Sequence, residues 1–89
     1  MENKVEEILD KVMQNSSNIG CLLANNQGLC IGSRGLASEK SAGLIVAISE
    51  QAAKLDPNSN APVISLELDD KVCIIHKNGI TGAVYKKKD

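Results

Sequence analysis

Val63-Ile-Ser-Leu-Glu-Leu68, Asp69-Asp70, Val72-Cys-Ile-Ile-His-Lys77, Asn78-Gly79 and Ile80-Thr-Gly-Ala-Val-Tyr85 follow one another almost without a gap, and their reading decides the fold. Ile64, Leu66 and Leu68 alternate with Ser65 and Glu67, the period of two that a half-buried strand requires. Asp69-Asp70 turns the chain. Asn78-Gly79 between two apolar runs is the strongest hairpin signal in the sequence, because these residues enter left-handed turn backbone at little cost. Three successive antiparallel strands are therefore expected at 63–68, 72–77 and 80–85.

Working back from this meander, Asp56-Pro57-Asn58 closes a long segment whose only internal breaker is Gly43. Ser38 suits its N-cap, with Glu39 in the positive first turn. At 100° per residue, Leu44, Ile45, Ile48, Ala52 and Leu55 form one stripe, expected to lie on the sheet. Ala42, Val46, Ser49 and Ala53 form a second strip of small or apolar side chains. A surface helix normally buries one stripe, and this one offers nearly two. Either the first helix covers the second strip or another protein does. The first helix has a single stripe of its own to commit, so the reading favours a partner, whose helix the small residues would let approach closely.

Further upstream, Asn18–Ala24 and Leu29–Arg34 read as a hairpin around Asn25-Asn26-Gln27-Gly28, with Gly28 in the left-handed position. That register sets Ile19, Cys21 and Leu23 on the face of Leu29 and Ile31. It separates Cys21 from Cys30. Val5, Ile8, Leu9, Val12 and Met13 recur at helical spacing, giving a first helix over about 3–14, with Asn15 able to take a left-handed cap. The order is α-β-β-α-β-β-β. The fold class is α/β, a two-layer domain with a five-stranded antiparallel sheet and two helices, in a single domain over residues 1–89. Val63 to Leu68 has no inward charge or internal proline, and it is a plausible edge for pairing with another chain.

The composition narrows the function classes. Among 89 residues there is no Trp or Phe, and Tyr85 is the only aromatic, so stacking platforms for bases or sugars are absent. A net charge of −1 supplies no long-range attraction for nucleic acid or an anionic membrane. The basic run Lys86-Lys87-Lys88 reads as a solvated tail. The start Met-Glu-Asn-Lys-Val-Glu-Glu is too acidic for a signal peptide, and Glu2 stands where myristoylation needs glycine. A cytoplasmic protein is expected. Cys21, Cys30 and Cys73 have no paired spacing, so no zinc site or disulfide is expected.

Catalytic machinery is hard to assemble from what remains. His76 is the only histidine, and it lies mid-strand without carboxylate or Cys/His companions. The glycine-rich run Gly28-Leu-Cys-Ile-Gly32-Ser-Arg-Gly35 follows a turn and forms a strand, so it fails the context of a phosphate loop. Cys73, between Val72 and Ile74, reads as core. Glu67, Asp69 and Asp70 read as turn-forming acids. No catalytic, metal or cofactor-binding residue is assigned, and the protein is expected not to be an enzyme.

Several segments, taken in order, resemble a known family. These are Gly28-Leu29, Gly32-Ser-Arg34-Gly35, Ala42-Gly43 leading to Gln51-Ala52-Ala53-Lys54-Leu55, Pro62-Val63, Leu66-Glu67 and Lys77-Asn78-Gly79-Ile80-Thr81. The family is that of the fifth subunit of the Ragulator complex, within the roadblock-domain superfamily. The likeness spans about Val5 to Lys87 and is weaker in the first helix. It implies a roadblock fold without its last helix. It also implies pairing with another roadblock subunit through second helices and third strands. On that basis Ala42, Val46, Ser49, Ala53, Val63, Ser65 and Glu67 are expected at the partner interface.

The resemblance further implies a lipidated subunit that wraps the pair and holds it on the late endosomal or lysosomal surface. There the complex would scaffold Rag GTPases and support amino-acid-dependent activation of mTOR complex 1. The alternative is a homodimeric roadblock protein acting as a dynein light chain or small-GTPase regulator. The Lys86–Lys88 tail is more basic than the family leads one to expect, and no function is drawn from it.

Overall fold

In the computed structural model, residues 2–58 and 61–88 are described. Helix α1 (Glu2–Met13) ends where Asn15 folds its side chain back on the chain. Asn15 Oδ1 accepts from the Ser17 backbone N–H at 2.9 Å and from Ser17 Oγ at 2.7 Å. No described non-glycine residue has positive φ, so this Asx turn replaces the left-handed cap expected at Asn15. Strands β1 (Asn18–Ala24) and β2 (Cys30–Gly35) form the first hairpin, with Gly28 at φ 84° in its turn. A β-bulge between Leu23 and Ala24 sets Gly32 opposite Leu23 and Cys30 opposite Ala24. Leu29 and Ile31 were expected to share the face of Leu23; with the bulge, Gly32 takes that place and both are exposed.

Ser38 Oγ accepts from the Lys40 N–H at 3.2 Å and opens a 3-10 turn, Glu39–Ser41, that leads into α2 (Ala42–Ala53). Strands β3 (Val63–Glu67), β4 (Lys71–Asn78) and β5 (Ile80–Lys87) complete the chain, with Gly79 at φ 78° between the last two. The five-stranded sheet runs β2-β1-β5-β4-β3, with every neighbouring pair antiparallel. The α-β-β-α-β-β-β order and the five-stranded antiparallel sheet with two helices are those read from the sequence. β3 is an edge strand, paired only with β4.

The helices lie on opposite faces. Ala42, Ile45 and Val46 of α2 pack on Leu22, Ala24, Ala83, Cys73 and Ile75. On the other face, Leu9 of α1 is buried, and the Cys21 thiol points at the Leu9 carbonyl at 3.8 Å. Gly32 leaves α1 room, because a Cβ there would sit 2.8 Å from Leu9 Cδ1 and 3.1 Å from Val5 Cγ1. Arg34 then ties β2 to α1 through Glu6 and, at 3.1 Å, Asp10. The two-layer packing expected from sequence thus becomes three layers with the sheet in the middle. The reason is visible in the strands. Leu22 and Ile75 face α2 while their neighbours Cys21, Leu23 and Ile74 face the other way, so one layer of helices cannot cover both sides.

Candidate partner interface

α2 is turned about its axis, by roughly 100° at 100° per residue, from the orientation read from the sequence. Ala42, Val46 and Ser49, expected to meet a partner, are 1%, 6% and 3% exposed within this chain's own core. Leu44 and Leu55, expected against the sheet, are 66% and 87% exposed. The physical cause is size. A helix crossing a sheet can approach closely where its side chains are small, and Ala42 and Ser49 supply that approach, leaving the long leucines outside. Ala53, past the last buried turn, is exposed. Ile45 faces the core as expected, while Ile48 and Ala52 lie half-buried at its margin.

An apolar surplus on α2 therefore remains, carried by other residues. Leu44 and Gln51 lie along the outward side of the helix at i and i+7, with half-buried Ile48 between them, and exposed Leu55 follows in the turn past the helix end. Glu50 and Lys54 flank that side in solvent. At the rim of the same core, Ile64 and Leu66 of β3 pack inward. Val63, Ser65 and Glu67 point to the opposite face and are exposed, Val63 at 66%. Leu68 falls past the strand, where its N–H donates to the Lys71 carbonyl at 2.8 Å. The free edge of β3 offers unpaired backbone groups, and no proline or inward charge guards it.

A second apolar surface was not read from the sequence. α1 lies over β1 and β2 and leaves β4 and β5 bare, so a shallow groove of about 430 Å³ opens beside it. Ile8, Val12, Leu23, Ile74 and Val84 line the groove, with His76 and Asn78 at its polar part. Ile8, placed in the buried stripe of the first helix, is 40% exposed there. The signal was present in Ile74-Ile75 and Ala83-Val84, adjacent apolar residues that must face both sides of the sheet.

The titratable groups in the interior are held neutral. Burial pushes the Cys21 and Cys73 thiols upward, with the Asp10 carboxylate adding to the effect at Cys21. Tyr85, opposite Cys73 across β4 and β5, is raised by burial and by that thiol. A neutral, buried thiol is a poor nucleophile. Among the described residues, no three His, Cys, Asp or Glu side chains gather in a way that could hold a metal ion. Nor does any described helix have the length and apolarity to cross a membrane.

A family model for Ragulator complex protein LAMTOR5 matches residues 1–86. The chain belongs to this family. It is 40% identical to the Ragulator complex protein LAMTOR5 of Xenopus tropicalis, over 97% of each chain. With the LAMTOR5 homolog of Nematostella vectensis it shares 36% identity, again over 97% of each. Solved structures extend the likeness to the fold. MglB of Myxococcus xanthus superposes with a TM-score of 0.81 at 18% identity, covering 98% of this chain and 72% of MglB. A roadblock/LC7 domain from Streptomyces avermitilis gives 0.78 at 16% identity, covering 92% and 77%. The roadblock fold expected for a LAMTOR5-family chain is thus the fold observed.

Proposed function

We propose that this LAMTOR5-family chain is a non-enzymatic scaffold subunit that pairs with a second roadblock subunit through the outer side of α2 and the free edge of β3. The observation that carries the reading is the exposure of Leu44 and Leu55 on α2 and past its end, together with the free edge of β3. A single domain of this size is thinly stabilised, and burying such a surface against a partner is a large gain. Ala42, Val46 and Ser49 drop out of the interface because they are interior. Ala53 is exposed but lies a half turn from Leu44 and drops out as well; Val63, Ser65 and Glu67 remain at the strand edge, joined by Leu44, Gln51 and Leu55.

In this reading the pair belongs to a Ragulator-type complex at the late endosomal or lysosomal surface. A lipidated subunit wraps it, and the bare groove beside Ile8 and Val12 gives that subunit a second apolar seat, away from α2. The assembly recruits Rag GTPases and supports amino-acid-dependent activation of mTOR complex 1. Family membership supports this.

Co-purification from cells at native abundance, with identification of the bound subunits, tests it. A roadblock subunit recovered in equal amount, which also raises the melting temperature of the purified chain on mixing, is the expected result. A tight homodimer that survives dilution and ignores every other roadblock subunit would replace the proposal with a self-sufficient roadblock protein.

A further inference from the structure

The β1–β2 turn is built more firmly than its exposed position requires. Asn25 Oδ1 accepts from the backbone N–H groups of Gln27 and Leu29, each at 3.0 Å. Asn25 also receives the Gly28 N–H on its carbonyl at 2.9 Å, while its own N–H donates to the Leu29 carbonyl at 3.0 Å. The turn then rests on α2. A Cβ built on Gly28 would lie 3.1 Å from Gly43 Cα, so the two backbones touch where neither has a side chain. Gly43 is on the exposed arc of α2, so the turn rises beside the outer surface of the helix and does not slip beneath it. The next residue on each side of this contact is an exposed leucine, Leu29 at 61% and Leu44 at 66%.

A rigid backbone holding an apolar side chain in water is the arrangement expected of a preorganised contact residue, since little further ordering is needed on binding. We infer that the β1–β2 turn is the end-stop of the pairing surface. In this arrangement Leu29 packs on the end of the partner roadblock subunit's second helix and fixes how far that helix slides along α2. The inference rests on the pairing reading above. The 12 residues of α2 span about 18 Å at 1.5 Å per residue, so a partner helix of similar length laid along it reaches the turn.

The test uses the roadblock subunit that co-purifies with the wild-type chain, itself purified, and measures its dissociation constant for three full-length variants. Leu29→Asp is expected to weaken pairing roughly tenfold or more, and Leu44→Asp at least as much. Both should keep the wild-type circular dichroism and urea midpoint, because both side chains are exposed. Asn25→Ala, which frees the turn but keeps Leu29, should weaken pairing by a smaller factor, through faster dissociation. If Leu44→Asp weakens pairing and Leu29→Asp leaves it at the wild-type value, the end-stop is overturned while the α2 interface stands. If neither substitution matters, the α2 pairing surface itself is wrong.

Discussion

Single side chains of α2 separate its two faces. Ile45 is 3% exposed, so Ile45→Ala should lower unfolding free energy by about 2–4 kcal/mol as a core truncation. Leu44→Ala removes a side chain already in water and should stay within about 0.5 kcal/mol of wild type. Paired urea titrations check this, and similar losses for both would mean that the helix is rotated from the orientation described. Gly35 sets a different limit. It has φ 64°, and a Cβ there would fall 2.3 Å from the Ile19 carbonyl oxygen. Gly35→Ala must therefore move backbone and should cost about 2 kcal/mol or more, read from the same titration.

At the scale of elements, α1 is tied to β1 and β2 at a few identifiable points, among them the hydrogen bond that Asn18 Nδ2 donates to the Val12 carbonyl at 2.7 Å. It reaches the sheet through Leu9, Val5 and the Arg34 pairs with Glu6 and Asp10, whereas α2 sits on the main core. These ion pairs are largely in solvent and contribute little to global stability, at most about 1 kcal/mol. Arg34→Ala should nonetheless raise local opening. Amide exchange in α1 is expected to quicken several-fold while that of α2 and β4 stays unchanged. Uniform acceleration over the whole chain would show that α1 and the core unfold as one unit. The strands, by contrast, were legible because alternation and Asn78-Gly79 are local signals. The bulge at Leu23 was not legible, since an extra residue in one strand shows itself only against its neighbour.

For the whole molecule, the buried thiols set a prediction at alkaline pH. Burial raises Cys21 and Cys73 above their ordinary value of 9.0, and Tyr85 above 10.0. The unfolded chain gives up these protons first, so above pH 9 it binds fewer protons than the folded chain. The stability this contributes is complete below the unfolded values and is lost as pH rises through the folded ones. The urea midpoint should therefore be lower at pH 10 than at pH 8, and a flat profile would show that the thiols ionise freely within the fold. Pairing acts in the opposite direction. With excess roadblock partner the melting temperature should climb with partner concentration, as mass action requires.

Local chemistry was enough for the sequence to set the elements, their order, the two glycine turns and the excess of apolar surface on the second helix. Strand alternation, caps and turn residues act over a few positions, and no distant contact is needed to read them. Which side of that helix meets the sheet could be settled only by the tertiary structure. A helix apolar around most of its circumference has no unique buried face until close packing chooses between small side chains and large ones. Here the sheet took Ala42 and Ser49 and left Leu44 and Leu55 outside. Likewise, the separation of the helices onto opposite faces followed from apolar residues on both sides of the sheet, a demand that belongs to the assembled layers and not to any one segment.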